Sequence, residues 1–348
     1  MKDSFNPNSK ASAKSGIFGL PYDEESSKII YIPVPWDVTT SYLTGTHLGP
    51  KSILKASDQI DYFDLEYGDA YKCGLYMRKE LSWIKKLNKE TRPFAEIIIE
   101  ADEEKVKTSK KLQKDLLKVN KASDKLNSAL EEMCDDLLSQ GKIPVLVGGD
   151  HSIPYGAIKS YAKSYKNFGI LHIDAHSDTR DSYMGFDHSH ASIMRNVMED
   201  IPTIKKVVQV GIRDFCEEEY DYINSNKKLK TFFDIDMQRR KLEGSKFSTL
   251  AKEIVKALPK NVYISFDIDG LDPRFCPNTG TPVPGGLDYQ EVLYIIREVV
   301  SSGRKIVGFD LVEVGPSRTK GDEWDANVGM RLLYKLSAAC LSSQGLIK

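Results

Sequence analysis

Short apolar runs rich in β-branched and aromatic residues recur along the chain, and segments with helical periodicity separate them. Such alternation predicts an α/β fold with a mainly parallel sheet covered by helices on both faces. The predicted strands are Lys28–Pro33, Glu96–Ile99, Ile143–Val147, Phe168–Ile173, Lys206–Gly211, Leu229–Phe233, Val262–Phe266 and Ile306–Phe309. The predicted helices include Pro50–Ile60, Glu103–Gln140 (one helix, or two joined near Val119–Lys121), Leu287–Ser302 and Asp325–Leu341.

The domain organisation predicted from the sequence is simple. Residues 1–27 are expected to form a flexible tail, because the first fifteen are small and polar and lack the apolar core of a signal peptide. Residues 28–348 are expected to form one domain, since no repeat, low-complexity linker or shift in composition divides them.

Composition narrows the functional classes. The 348 residues carry 49 basic and 50 acidic side chains, so the net charge of −1 gives no sign of nucleic-acid binding. No apolar run is long enough to span a bilayer. The five cysteines are scattered without CxxC pairs, which argues against a disulfide framework or a structural zinc site and favours a reducing cytoplasm.

Candidate chemistry lies where three predicted strands end, which is where open α/β sheets bind ligands. His151 follows a strand and two glycines; taken alone, it could equally be a hydrogen-bonded structural histidine. Asp174, His176 and Asp178 alternate with small residues, so an extended backbone would place them on one side. The alternative is a loop of hydrated acids, but carboxylates at the end of an apolar strand are costly unless neutralised.

The third strand ends in Asp267 and Asp269, a pair that is weakly informative by itself. His172, inside the second strand, is interpreted as a satisfied core histidine, and Asp272-Pro273 as a turn. Together the three motifs supply two imidazoles and four carboxylates, whose formal charge of −4 two divalent cations would balance. An oxygen-rich set without thiolates suits manganese better than zinc, and two such ions can generate a hydroxide nucleophile.

These motifs resemble those of the ureohydrolase (arginase/agmatinase) family. The resemblance rests on Gly148-Gly-Asp-His-Ser152, Asp174-Ala-His-Ser-Asp178, Ser265–Pro273, the glycine-rich Thr279–Gly286, Asp310–Glu313 and the upstream Thr40–Pro50, and it covers about residues 29–341. It implies a three-layer α/β/α domain with about eight strands, two Mn²⁺ ions, and homotrimers or homohexamers. One ion would take His151, Asp174, Asp178 and Asp267; the other would take His176 and Asp269 and share Asp174 and Asp267.

The resemblance also implies catalytic roles. Glu313 would hold the guanidinium of the substrate, Asp178 would orient the attacking hydroxide that bridges the metals, and a loop histidine would pass a proton to the leaving amine. His190 is the preferred shuttle and His188 the alternative; either could instead be merely hydrated. The products would be urea and a primary amine.

The substrate is less well defined. Arg180 stands where arginases carry an asparagine for the substrate carboxylate, which favours agmatine. An arginine there could instead bind the acid of arginine, guanidinobutyrate or formiminoglutamate, or form a structural ion pair with Asp181 or Asp187. His47, Cys276, Asn278, Gly315 and the segment 321–327 depart from the family pattern and bear on the pocket.

Two other classes are weighed. Deacetylases that share this type of fold use one zinc ion and fewer carboxylates, so the six-residue set argues against them. A non-enzymatic metal-binding scaffold would leave Glu313 and the histidine loop without a purpose.

Overall fold

Eight parallel strands form a single sheet in the computed structural model, which describes residues 5–9 and 16–347. The strands lie in the order β2-β1-β3-β8-β7-β4-β5-β6. Their bounds are Ile29–Pro33 (β1), Leu75–Met77 (β2), Ile143–Val147 (β3), Phe168–Ile173 (β4), Val207–Ile212 (β5), Leu229–Phe233 (β6), Asn261–Asp267 (β7) and Lys305–Val312 (β8). The predicted fold class, an α/β domain with a mainly parallel sheet of about eight strands, is confirmed.

Helices cover both faces of the sheet. The α-helices are α1 (Gly49–Ala56), α2 (Ser82–Ile99), α3 (Glu103–Thr108), α4 (Lys110–Ser139), α5 (Tyr155–Ser164), α6 (Ile193–Asp200), α7 (Glu217–Ser225), α8 (Asp234–Leu242), α9 (Phe247–Ala257), α10 (Tyr289–Ser301) and α11 (Trp324–Ser343). Alternate residues of β1 face opposite layers: Ile29 and Tyr31 join the core under α9, α10 and α11, whereas Ile30 and Ile32 join the core under α2 and α4. Both faces of the sheet are therefore buried, as the continuous apolar strands require.

Two predictions of local structure were wrong, and one strand was not predicted. Glu96–Ile99 is the last turn of α2, because only Ile98 of the three consecutive isoleucines completes the buried stripe that runs through Ile84 and Ala95. The break in the predicted 103–140 helix falls at Ser109, whose hydroxyl accepts from the amide of Leu112 and starts α4. The edge strand β2 escaped prediction because it has only three residues.

The predicted flexible tail is also corrected in its second half. Ile17, Phe18 and Leu20 are buried in the main core. The amide of Phe18 donates to Ser57 Oγ (2.9 Å), and its carbonyl accepts from the hydroxyl of Tyr62 (2.7 Å). Residues 16–20 are thus packed against the domain; residues 1–4 and 10–15 lie outside the described residues.

Candidate metal centre

The predicted site residues lie together at the carboxyl edge of the sheet. Strands β3, β7 and β4 approach this edge side by side with β8, so the segments that follow them meet there. His151 lies in the turn between β3 and α5, Asp174, His176 and Asp178 follow β4, Asp267 is the last residue of β7, and Asp269 lies in the next turn. Five of these side chains are nearly inaccessible to solvent, and that of His176 is 23% exposed.

The first group surrounds the imidazole of His151. Its Nδ1 lies 2.8 Å from Asp174 Oδ2, 3.1 Å from Asp178 Oδ2 and 3.3 Å from Asp267 Oδ2. Three carboxylates thus converge on one nitrogen from separate segments. Within the described residues, His151 Nδ1 has no well-directed hydrogen bond to any of them, so it is a buried nitrogen surrounded by carboxylate oxygens and available to a cation.

The second group surrounds His176. Its Nδ1 lies 3.1 Å from Asp269 Oδ2 and 3.5 Å from Asp174 Oδ1. The two groups therefore share Asp174, which offers one oxygen to each. This is the arrangement that a carboxylate bridging two neighbouring cations needs.

The backbone brings these residues together differently from the expected extended alternation. Asp178 has φ 54°, a left-handed conformation that turns its side chain back toward His151. Asp269 lies in a 3-10 turn, and its backbone amide donates to Asp267 Oδ1 at 2.8 Å. Non-glycine residues rarely adopt φ near +54°, and such strain is concentrated at functional sites.

The orientation of the His151 ring is set by Ser265 and Asp310, two polar residues that lie in the predicted motifs but to which sequence reasoning assigned no role. Its Nε2 lies 3.0 Å from Ser265 Oγ, and that hydroxyl donates to Asp310 Oδ1 at 3.2 Å. Since the serine proton goes to Asp310, Nε2 of His151 is the donor and Nδ1 of the neutral ring is a free lone pair. This is the tautomer that binds a cation through Nδ1.

The electrostatics of the cluster attract positive charge. Burial opposes protonation of His151 and of His176, yet the surrounding carboxylates raise the pKa of both imidazoles well above the usual value. Burial and the charge of Asp174 raise the pKa of Asp178 to about 7, and burial with the charge of Asp269 raises the pKa of Asp267 well above its usual value. Protons and divalent cations compete for the same atoms, so a site that holds protons this strongly can also attract a divalent cation.

His172 is a buried, hydrogen-bonded core histidine, as predicted. Its Nε2 lies 2.8 Å from Asp174 Oδ2, and its Nδ1 lies 3.2 Å from Nε2 of Gln209. Burial lowers the pKa of this imidazole. The ring lies close enough to His151, Asp174 and Asp178 to join them around an ion, but both of its nitrogens have hydrogen-bond partners, so we expect it to support Asp174 rather than to bind the ion itself.

A cavity of about 150 Å³ opens onto the second group. Its lining consists of Ser41, His176, Asp178, Arg180, Tyr183, His190, Ala191, Asp214, Phe215, Glu219 and Thr281. Three of these residues, Asp214, Phe215 and Glu219, lie outside every segment that the sequence analysis singled out. Asp214 could have been found, because it follows the apolar strand β5 at the same edge as the predicted ligands.

The two loop histidines occupy different environments. His190 lines the cavity; its Nε2 lies 3.4 Å from Ser41 Oγ, and its amide donates to Thr39 Oγ1 at 3.0 Å. Burial, with the nearby imidazoles, lowers the pKa of His190 to about 3, so it is neutral at pH 7. His188 instead packs on the ring of Tyr155, and its Nε2 lies 3.2 Å from Asp124 Oδ1, away from the cavity lining.

Glu313 lies next to the cluster with φ 60° and is 3% exposed. One oxygen, Oε1, accepts from the amide of His151 at 3.0 Å, which ties it to the first group. Among the described residues the other oxygen, Oε2, has no hydrogen-bond partner, and burial raises the pKa of the carboxyl well above its usual value. A side chain at Gly280 would place its Cβ 2.9 Å from Oε2, so the glycine keeps the space beside this carboxylate open.

Arg180 is paired, although with neither of the predicted acids. Its Nε lies 3.5 Å from Glu219 Oε2, and its guanidinium lies over the ring of Tyr183 at 4.6 Å. Asp181 lies near Arg195 instead, at 3.7 Å. Glu219 is buried and also accepts from the amides of Thr179 and Cys216. The positive charge of Arg180 is thus balanced within the cavity wall.

The residues at Asn278, Gly315 and His47, which depart from the family pattern, are accommodated by local contacts. Asn278 binds Asp325 through its amide (2.8 Å) and its side chain (2.9 Å). A Cβ at Gly315 would lie 1.9 Å from the carbonyl oxygen of Asn278, so the close approach of these loops requires glycine there. His47 Nδ1 contacts Asp37 Oδ2 at 2.6 Å, which fixes the upstream loop.

The fold and the site define a class: a parallel α/β protein with a buried carboxylate–imidazole cluster at the carboxyl edge of its sheet. Its sequence matches the profile described as the Arginase family over residues 27–338. The chain belongs to this family and is a hydrolase of the arginase/agmatinase (ureohydrolase) type.

Relatives with similar sequences carry two names. The chain is 30% identical to the N(1)-aminopropylagmatine ureohydrolase of Synechocystis sp., with 88% of this chain and 87% of that protein covered. It is also 30% identical to the agmatinase of Bacillus anthracis, with 90% and 91% covered. The solved agmatine ureohydrolase of Thermoplasma volcanium is similar in fold, with a TM-score of 0.69, 25% identity and 93% of each chain covered. Among the described residues, no helix has the length and hydropathy to cross a membrane.

Proposed function

We propose that this chain hydrolyses a guanidino compound with a cationic tail, agmatine first, to urea and a primary amine, using two Mn²⁺ ions. The observation that carries the proposal is the sharing of Asp174 between the His151 group and the His176 group. The agmatinase and aminopropylagmatine ureohydrolase relatives support the same class of substrate.

The donor set supports manganese. His151, Asp174, Asp178 and Asp267 would hold one ion, and His176 and Asp269, with the shared Asp174 and Asp267, would hold the other. Four carboxylates and two imidazoles make an oxygen-rich set of the kind that manganese prefers. Two such cations, when bound, would lower the pKa of water and so supply the nucleophile at neutral pH.

Glu313 is suited to hold the guanidinium. Its Oε2 is a buried carboxylate oxygen without a partner among the described residues, and Gly280 leaves space beside it. A planar guanidinium would satisfy this oxygen with a charge-assisted hydrogen bond and remove the cost of burying the charge. The carbonyl of Glu313 accepts from Thr279 Oγ1 at 2.8 Å, which holds the glycine-rich loop against it.

Proton transfer is assigned to His190. The ring lines the cavity beside His176 and Asp178 and is neutral at pH 7, so it can accept a proton and pass it to the departing amine. Asp178 contributes a carboxylate oxygen that can orient the attacking water while binding a cation.

The charge balance of the cavity supports a cationic tail. Arg180 is paired with Glu219, whereas Asp214, which also lines the cavity, is 67% exposed; among the described residues its one ion-pair contact within 4.0 Å is His176 Nε2, at 3.9 Å. The uncompensated charge at the mouth is therefore negative. An ammonium group would be attracted there, and a carboxylate would be repelled.

Urea release from agmatine, N(1)-aminopropylagmatine, arginine and guanidinobutyrate, and formamide release from formiminoglutamate, would test the proposal. Asp214→Asn should raise KM for agmatine about three- to fivefold, which is the scale of an exposed ion pair. Arg180→Ala should leave agmatine turnover nearly unchanged if the protein folds normally. Three results together would contradict the cationic tail: preference for a carboxylate-bearing compound, no reaction with agmatine, and a sharp rise in KM in Arg180→Ala. The proposed hydrolysis itself would still stand.

A further inference from the structure

A row of polar side chains, half-buried at Thr231 and fully buried further in, crosses β6, β5 and β4 behind the metal centre. It runs from Thr231 on β6 through Gln209 on β5 to His172 on β4 and ends on Asp174. Gln209 and His172 are fully buried between otherwise apolar neighbours on their strands. Polar groups buried in a sheet core are retained only where their hydrogen bonds are satisfied.

The hydrogen bonds of Gln209 leave one orientation for its amide. Its Nε2 lies 2.7 Å from the backbone carbonyl oxygen of Ser177, an atom that can only accept. Its Oε1 lies 2.7 Å from the hydroxyl of Thr231, which donates to it. Exchanging the oxygen and nitrogen would place two acceptors together at Ser177, so the NH₂ group must face that carbonyl.

The second N–H of Gln209 then determines the protonation pattern of His172. It points at Nδ1 of the imidazole from 3.2 Å, so Nδ1 must be the unprotonated acceptor. The ring proton accordingly lies on Nε2, which donates to Asp174 Oδ2 at 2.8 Å. On its other oxygen, Asp174 Oδ1 accepts from the amide of His176 at 2.6 Å. Both oxygens of the shared carboxylate are thus held in direction.

We propose that Gln209 is a positioning residue of the metal centre, because it fixes His172 in the Nε2–H tautomer that orients Asp174 between the two cation positions. The inference rests on the proposed two-cation site. None of the hydrogen bonds of Gln209 is made to one of the six predicted ligands. Gln209 acts on Asp174 indirectly, by orienting His172. Outer hydrogen bonds of this kind change metal affinity by about 10–100-fold.

The first test needs no substitution. Long-range ¹H–¹⁵N spectra of histidine-labelled, metal-free full-length protein report the tautomer of each ring, and His172→Asn identifies the resonances of that ring. The expected pattern for His172 is a protonated Nε2 and a bare Nδ1 at pH 7.5. A ring protonated at Nδ1 alone, or at both nitrogens, overturns the proposal whatever the metal content.

The second test measures Mn²⁺ binding to the full chain by calorimetry. Gln209→Glu removes the N–H that faces Nδ1, so Mn²⁺ affinity should fall about 10–100-fold and the His172 tautomer should change. Gln209→Met, which keeps the approximate shape without polarity, should lose a similar factor. The matched control is Thr231→Val, which leaves the Gln209 amide oriented by the Ser177 carbonyl and should bind Mn²⁺ nearly as the unaltered chain does.

The outcomes separate the two proposals. If the unaltered chain binds no Mn²⁺, the metal centre itself fails. If the unaltered chain binds two ions and Gln209→Glu, shown by circular dichroism to be folded, binds them equally well, only the positioning role fails. An equal loss in Thr231→Val and Gln209→Glu would point to general loosening of β5 and would also overturn the role.

Discussion

Replacing Asp267 with asparagine tests the metal centre through folding stability rather than through activity. Asp267 is 3% exposed and lies beside Asp174 and Asp269, so burial and these charges raise its pKa well above the usual 3.8. A carboxyl group whose pKa is higher in the folded chain than in the unfolded chain destabilises the fold once the pH exceeds its pKa in the unfolded chain. Metal-free Asp267→Asn should therefore melt at or above the temperature of the unaltered chain at pH 7.5, and the difference should vanish below about pH 4.

With cations bound, the unaltered chain should instead melt at a higher temperature than Asp267→Asn. Two independent sites, each with free cation at 100 times Kd, stabilise the fold by about 5.4 kcal/mol together. For 348 residues, the entropy of unfolding is roughly 0.7 kcal/mol/K, so the melting temperature should rise by about 7 °C. Because Asp267 is predicted to serve both ions, asparagine should weaken both sites. A 100-fold loss at each site would leave about 0.8 kcal/mol, or about 1 °C.

Differential scanning calorimetry with and without Mn²⁺, after chelator treatment, measures both effects. Asp325→Asn is the matched control: its carboxylate is buried with a raised pKa, yet it contacts Asn278 and is not a predicted ligand. It should keep the full metal-induced rise. A rise in Asp267→Asn equal to that of the unaltered chain, or elemental analysis showing one tightly held zinc ion unaffected by the change, would refute the two-cation assignment.

Three further results are expected. His190→Ala should lower kcat about 10²-fold with metal content unchanged, because His190 lines the cavity. His188→Ala should have little effect, since His188 is not among the lining residues. The reverse pattern in steady-state kinetics would transfer the role to His188. Glu313→Gln should lower kcat/KM for agmatine by about 10²-fold or more, since the charge-assisted pair with the guanidinium is lost. Calorimetry should show that Mn²⁺ still binds. Unchanged kcat/KM would exclude the pair. Gly308→Ala should destabilise the fold by about 2–4 kcal/mol in chemical denaturation, because the new Cβ would lie 2.2 Å from the ring of Tyr161; a loss below about 0.5 kcal/mol would show that the ring yields freely.

Part of the site was predictable because its candidate ligands follow apolar strands. Asp267 ends a buried strand, Asp174 directly follows one and His151 follows one after a short turn; parallel strands end at one edge, so the convergence of these residues follows from the strand assignments. The two glycines before His151 and the small residues beside His176 mark the same edge. Sequence patterns of this kind depend only on local periodicity and on the common direction of strands in a parallel sheet.

Other features needed the strand order. Gln209 and Thr231 lie 37 and 59 positions beyond His172 along the chain, and they become neighbours only because β4, β5 and β6 are adjacent in the sheet. Ser265 and Asp310 meet across β7 and β8 for the same reason. A lone glutamine or serine inside a strand carries no signal of its partner, since hydrogen-bond partners are chosen by distance in space.

The sequence by itself determined the α/β class, the identity of the six candidate ligands and the family to which they point, because these depend on residue type and spacing along single segments. Only the tertiary structure decided that residues 16–20 pack into the core, that Arg180 is neutralised by Glu219, and that His190 rather than His188 reaches the cavity. It also decided how Asp178 reaches His151, through a left-handed backbone at φ 54° that extended alternation does not foresee. The physical reason is that charge balance, burial and ring orientation depend on groups far apart in the chain, whose positions are fixed only when all eight strands have paired.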